Sequence, residues 1–374
     1  MPERMTTPCS GPGFADAGSK GVFRSCARGC AGLGRLQGAT SRTARTAWAA
    51  LFVALLGCTT EPDGDSSTTT ALEQCEFMRT MGYVAGDCDD DATTRRTSDD
   101  LGVQVNNGAC DTPRAIVSGS SVRVVAPDGT LIANHETQWE LRSAALLPDG
   151  DLVAVRYGYL GIARLDAAGR ILWHREGMYH HQASVDGESV WTMLHHRGWT
   201  GASESVVRLD LATGDTLDTW GIDDLVGHGL RRGSRTDPWH PNRVVPLPDG
   251  GLLLSLREAD TVLTVWPWSD RAPKVWARGT WDAQHAPSVV EGGGLLVFDN
   301  GNRRVVEVDA QGHVVWSHPV KSHAWGHTER TPCGTTLIAD TVAGQVLEVD
   351  AEGRVVWDYR TDGPVMEATT QGAG

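Results

Sequence analysis

No apolar stretch in this chain is long enough to cross a bilayer, no excess of basic residues offers a face to nucleic acid, and no set of cysteines has the spacing of a metal centre. Each absence removes a class of function. The formal net charge is −14, and the first 57 residues carry seven Lys/Arg against two Asp/Glu, so the rest of the chain is more acidic still. Such a surface repels nucleic acid and anionic lipid. It also repels an anionic substrate, unless the fold gathers its own local cluster of cations. The cysteines stand at 9, 26, 30, 58, 75, 88, 110 and 333. Only Cys26 and Cys30 come near metal-ligand spacing, so neither a metal nor any other cofactor is expected.

The start of the chain reads as targeting. Arg42-Thr-Ala-Arg45 followed by the apolar run Ala47 to Leu56 has the basic and apolar regions of an export signal. It ends in Leu55-Leu-Gly-Cys58, which resembles a bacterial lipoprotein box, so Cys58 is the expected site of acylation. Residues 1–57 are then an upstream extension and signal, and the mature protein an exported lipoprotein on the periplasmic side, at the outer membrane or at the cell surface. Residues 58–109 are rich in Thr, Ser and Asp with little apolar periodicity, the composition of a flexible acidic tether, within which Cys75 and Cys88 are a candidate disulfide.

After Cys110 the chain repeats. Arg164-Leu-Asp-Ala-Ala-Gly-Arg-Ile-Leu-Trp173, Glu307-Val-Asp-Ala-Gln-Gly-His-Val-Val-Trp316 and Glu348-Val-Asp-Ala-Glu-Gly-Arg-Val-Val-Trp357 keep one register. Looser copies lie at Arg208 to Gly214 and around Val262 and Trp276, with a partial copy near Val122 to Ile132. Hairpin turns at Pro148-Asp-Gly150, Val185-Asp-Gly187, Pro248-Asp-Gly250, Glu291-Gly-Gly293 and Cys333-Gly334 separate short β-rich segments. Repeats of about 40 residues with four strands are what a propeller blade needs, because one small sheet buries neither face until neighbours stack on it. The expectation is an all-β propeller of six four-stranded blades over residues 110–360, with a C-terminal tail at 361–374. Cys110 and Cys333, in the first and last repeats, are a second candidate disulfide. The irregular stretch Gly221 to Trp239 reads as a loop or short helix over one mouth.

Histidines recur just before the first strand of successive repeats: His180-His181, His240, His285, and His323 with His327. First strands line a propeller's channel, so these residues should form a ring. Arg257, ending the second strand of the blade that begins with His240, should return beside it and supply the local cations an anion needs. Arg offers a planar fork of donors, and His can donate, accept or attack. His195-His196 and His228 are less regularly placed and read as surface or loop residues.

Asp237-Pro-Trp-His240-Pro-Asn242, Leu254-Ser-Leu-Arg257, Gln284-His285-Ala-Pro287 and Val297-Phe-Asp-Asn300-Gly301 resemble the bacterial arylsulfate sulfotransferases. The likeness takes in His180-His181 and the last repeat, and spans most of residues 140–360. It implies a six-bladed propeller that moves a sulfuryl group from an aryl sulfate to a phenol without a nucleotide donor, through a sulfated histidine. Matched motif by motif, His285 is the nucleophile, His240 and Arg257 hold the sulfuryl oxygens, and His181 is the third histidine, with His180 as the alternative. Asn242, Trp239 and Asn300 are carried over as substrate-binding positions. Trp239, Trp281 and Trp325 could equally clamp a phenol ring or pack blades. The substrates implied are small aryl sulfates and phenols, with water as a possible acceptor; the non-enzymatic alternative is a propeller lipoprotein that binds a partner or glycan at the cell envelope.

Overall fold

A computed structural model describes residues 100–371 except 159, 197–202, 234–237, 279, 280 and 324. Cys58, Cys75, Cys88, Asp237, the signal and almost all of the tether lie outside the described residues. Six antiparallel sheets form a six-bladed β-propeller. The second blade is β5 (Leu141–Leu146), β6 (Leu152–Arg156), β7 (Ile162–Leu165) and β8 (Ile171–Arg175). The third is β9 (Met178–Asp186), β10 (Ser189–His196), β11 (Ser203–Asp210) and β12 (Thr216–Gly221). β13 (Pro241–Pro246), β14 (Leu252–Leu256), β15 (Thr261–Val265) and β16 (Lys274–Arg278) make the fourth. β17 (Gln284–Val289), β18 (Leu295–Asp299), β19 (Arg304–Val308) and β20 (Val314–Pro319) make the fifth.

The two remaining blades close the ring with both ends of the described chain. The sixth, β21 (His327–Arg330), β22 (Thr336–Asp340), β23 (Gln345–Val349) and β24 (Val355–Arg360), gains a fifth strand from β1 (Gly102–Asn106) at its outer edge. The first, β2 (Arg114–Ser118), β3 (Ser121–Val125) and β4 (Leu131–Glu136), takes its innermost strand from β25 (Glu367–Thr370). The expected boundaries at 110 and 360 are therefore corrected: residues 102–106 and 367–370 belong to the propeller. The Cys110–Cys333 disulfide links the two blades at this seam. Beside it Arg114 pairs with Glu348, both side chains fully buried, and the guanidinium lies 4.6 Å over the Trp357 ring.

The repeat motif has a local cause. In each Asp-Ala-x-Gly-Arg/His copy the aspartate Oδ1 accepts the amides two and four residues on, as Asp350 does from Glu352 and Arg354. The glycine sits at positive φ, 78° to 87° at Gly169, Gly312 and Gly353, where a side chain is strained. Two of the repeated tryptophans then bridge to the next blade. Trp173 Nε1 donates to the Leu211 carbonyl and Trp357 Nε1 to that of Pro127.

Successive strand residues point to opposite faces, and here both faces are covered. Leu252, Leu254 and Leu256 pack toward the third blade, whereas Leu253 packs toward the fifth. Leu295 and Val297 face the fourth blade, Leu296 and Phe298 the sixth. Six apolar clusters result, one at each junction between neighbours. Each fully buried Leu, Val or Phe contributes about 1.5–3 kcal/mol, so the ring is held by its interfaces.

Candidate active site

The innermost strands of four blades depart from regular pairing at corresponding places. β5 is bulged between Leu141 and Ser143, which makes Arg142 the extra residue. β13 is bulged between Pro241 and Arg243, at Asn242, and β17 between His285 and Ser288. In β9 the pairing shifts between His180 and Ser184, opposite Trp191 and Met193, so His181, Gln182 and Ala183 face a single partner residue. A bulge re-aims the side chains around it. His181 (φ 57°), His240 (φ 45°) and Ala286 (φ 44°) adopt left-handed backbone there, a conformation costing about 1–3 kcal/mol for a residue with a side chain.

These departures bring side chains from four blades into one buried group. Nε2 of His181 stands 2.7 Å from Nε2 of His240, and the His181 and His285 ring centroids are 5.4 Å apart. Nη2 of Arg142 is 3.0 Å from Nδ1 of His181. The Arg257 backbone amide donates to the His240 carbonyl at 3.1 Å, and its charge, with that of Arg142, acts on His285. Burial, and after it these cations and neighbouring imidazoles, hold His180, His181 and His285 well below the usual histidine pKa. The three rings are neutral at pH 7, and the formal positive charge comes from the two arginines.

His285 has a defined tautomer. Its Nδ1 lies 2.9 Å from the Ala283 carbonyl and 2.8 Å from Asn300 Oδ1. A carbonyl can only accept, so Nδ1 carries the proton and Nε2 a lone pair. Nε2 is buried with no hydrogen-bond partner. Two struts hold this segment: Asn242 Nδ2 donates to the Gln284 carbonyl at 2.6 Å, and Gln284 Nε2 donates to the Leu256 carbonyl at 3.0 Å. Asn242 and Asn300, carried over as substrate contacts, therefore orient His285 first; Asn242 Oδ1 and Asn300 Nδ2 remain buried and unbonded.

Trp239 is a correction. It is 0% exposed, packs with Trp191, Trp220 and Ile222, and donates through Nε1 to Asp223 at 2.8 Å, so no face is open to a substrate ring. Trp281 is likewise core. Trp325 is half-buried, 4.3 Å beneath the Arg142 guanidinium and edge-on to Tyr157. The stretch after Gly221 opens with a 3-10 turn, Ile222–His228. His327 lies in β21 away from the ring group, donating from Nδ1 to the Ala368 carbonyl and standing 3.5 Å from Glu367.

Two residues of the site, Arg142 and Glu204, carried no expectation, and a third, His195, is a correction. Arg142 stands at the β5 bulge as Asn242 does at the β13 bulge, and nothing in its residue type marked it. His195, expected at the surface, is buried: it stacks on His180 at 4.1 Å and its Nδ1 lies 3.1 Å from Glu204 Oε1. Glu204 is fully buried, directly opposite His195 in the β10–β11 ladder, and its Oε2 accepts the His240 amide at 3.1 Å. Possible metal-ligand atoms of His180, His195 and Glu204 come within 4.8 Å of one another. Glu204 Oε2 accepts the His240 amide and Oε1 lies within ion-pair distance of His195, so the carboxylate braces His240 from behind.

Residues 143–362, more than half of the chain, match the family described as arylsulfotransferase (ASST). No curated protein matches the chain. Among solved structures, a protein of unknown function from Bacteroides caccae is similar with a TM-score of 0.53 at 14% identity, covering 69% of this chain and 98% of its own. A virginiamycin B lyase from Staphylococcus aureus gives 0.41 at 8%, covering 71% and 75%. The WD40 propeller domain of Doa1 gives 0.45 at 13%, covering 71% and 84%. At its identity the first of these speaks to the fold alone.

Proposed function

The chain belongs to the arylsulfotransferase family, and from that premise we propose that it moves a sulfuryl group from an aryl sulfate to a phenol through a sulfated His285, without a nucleotide donor. One observation carries the reading: a buried imidazole nitrogen, unbonded and unprotonated, beside two arginines. The Nε2 lone pair attacks sulfur in line as the bond to the aryl oxygen breaks. The Nδ1 proton stays between Ala283 and Asn300, whose oxygens stabilise the positive charge that builds on the ring. Arg257 holds the sulfuryl oxygens, and the departing phenolate meets cationic surroundings. Sulfuryl transfer has a loose transition state like that of phosphoryl transfer, so positioning and electrostatics supply most of the acceleration.

Brief exposure to 4-nitrophenyl sulfate followed by intact-mass measurement tests this. The expected result is one sulfuryl adduct on His285 that added phenol discharges. Folded protein that forms no adduct ends the proposal, and discharge in buffer as fast as with phenol makes water the acceptor. We further propose that the protein works outside the cytoplasm, anchored through an acylated Cys58. The Cys110–Cys333 disulfide supports this, since such bonds persist in oxidising compartments. Acyl chains on Cys58 by mass spectrometry are expected, and an unmodified thiol there removes the anchor.

A further inference from the structure

A guanidinium can only donate hydrogen bonds, so it determines where a facing imidazole keeps its proton. Arg142 Nη2 faces Nδ1 of His181 at 3.0 Å. Nδ1 is then the acceptor, and the ring proton lies on Nε2. That nitrogen is 2.7 Å from Nε2 of His240, which must accept and so keeps its own proton on Nδ1. A one-way chain runs from Arg142 through His181 to His240. Its origin is held firmly, because Arg142 sits at the β5 bulge with its guanidinium plane over Trp325 at 4.3 Å.

We propose that Arg142 is a positioning residue that divides the work of two chemically identical side chains, making His181 the hydrogen-bond donor to the sulfuryl group and His240 the proton acceptor. The inference rests on the sulfuryl-transfer reading and adds a second arginine to its machinery. Substrate entering between the rings meets Nε2–H of His181 on one side and the Nε2 lone pair of His240 on the other. The acceptor phenol gives its proton to His240 as its oxygen bonds to sulfur; the S–Nε2 bond of His285 breaks and its electron pair returns to His285. In the next cycle His240 hands that proton to the departing phenolate as the donor's S–O bond breaks, which restores the starting state.

The test uses the full chain, 4-nitrophenyl sulfate and phenol, with Arg142→Met to keep the stem over Trp325 and Arg142→Lys to keep a charged donor. In R142M the first release of nitrophenol should slow by less than about tenfold, while discharge by phenol should slow on the order of a hundredfold, the usual worth of a general base. R142K should recover most of the second step. Nitrogen NMR of the imidazoles should find His181 protonated at Nε2 in the wild type and in mixed tautomers in R142M. Equal loss in both half-reactions with no rescue by lysine, or a wild-type His181 protonated at Nδ1, overturns the proposal. Failure of the wild type to form any adduct would instead sink the transfer reading, and the NMR result would still decide whether Arg142 governs His181.

Discussion

Blades two to five and the seam between blades six and one treat their inner strands in opposite ways. β5, β9, β13 and β17 are bulged, and they or the residue just before them supply Arg142, His181, His240 and His285. β21 and β25 pair in unbroken register with their neighbours. Their buried polar residues His327 and Glu367 contact one another, and Glu367 also accepts from Gln182 and pairs with Arg243, tying the seam to β9 and β13. The bulged strands accept strained backbone and an unbonded nitrogen, whereas the regular ones hold the ring shut. Chemistry and closure are thus assigned to different arcs of the same wheel.

The sharpest way to break that comparison is a matched pair of substitutions. His285→Ala should abolish adduct formation and lower transfer on the order of a million-fold, as loss of a nucleophile does, with the melting temperature little changed. His327→Ala should do the reverse, costing about 1–3 kcal/mol in urea unfolding through the orphaned carbonyl while leaving adduct formation intact. If H327A also abolished the adduct, the division of labour would be wrong. Next in size, Arg114→Met leaves the buried Glu348 carboxylate without its partner and should cost about 3–5 kcal/mol. Opening the Cys110–Cys333 bond with reductant should cost about 2–4 kcal/mol, read from the shift in urea midpoint, with activity in mild conditions preserved.

A further effect concerns pH. Burial raises Glu329 to about 7 in the folded protein, so from about 4.5 to 7 the native state keeps a proton that the unfolded chain has lost. That contribution to stability declines as pH rises through this window. Burial lowers His327 to about 4, so the unfolded chain takes up a proton first as pH falls from 6.5, and stability declines in that direction. The two slopes oppose one another where the windows overlap. Glu329→Gln removes the first, and should be more stable than the wild type at pH 8 but equal to it at pH 4.5 in parallel denaturant titrations.

Much of this arrangement is legible in the linear chain. The Asp-Ala-x-Gly-x repeat ending in Trp gives the blade period because each part has a local task, and histidines at equivalent inner-strand starts imply a shared axis. What the period hides is what departs from it. β9, β10 and β11 run to 9, 8 and 8 residues, and their extra length carries His180, His195 and Glu204; nothing in the alternation of residues marks where those strands overrun their neighbours. Arg142 is hidden because it stands at a bulge that the residue pattern does not mark. Trp239 reads equally as ring clamp or packing residue, because adjacency to His240 in sequence says nothing of which way an indole turns at a left-handed residue. Glu367-Ala-Thr-Thr370 is too short and polar to read as a strand, and becomes one only when β2 offers it an edge.

That last pairing carries a consequence for how the molecule is born. The first blade to leave the ribosome lacks its hub-side strand until residues 367–370 have been made. Earlier blades can stack, but the circle stays unlatched until β25 emerges, with β2 presenting a bare edge at its centre. A nascent chain of this design remains threadable until β25 has been made, and loss of β25 would strike the oldest blade of the propeller rather than the youngest.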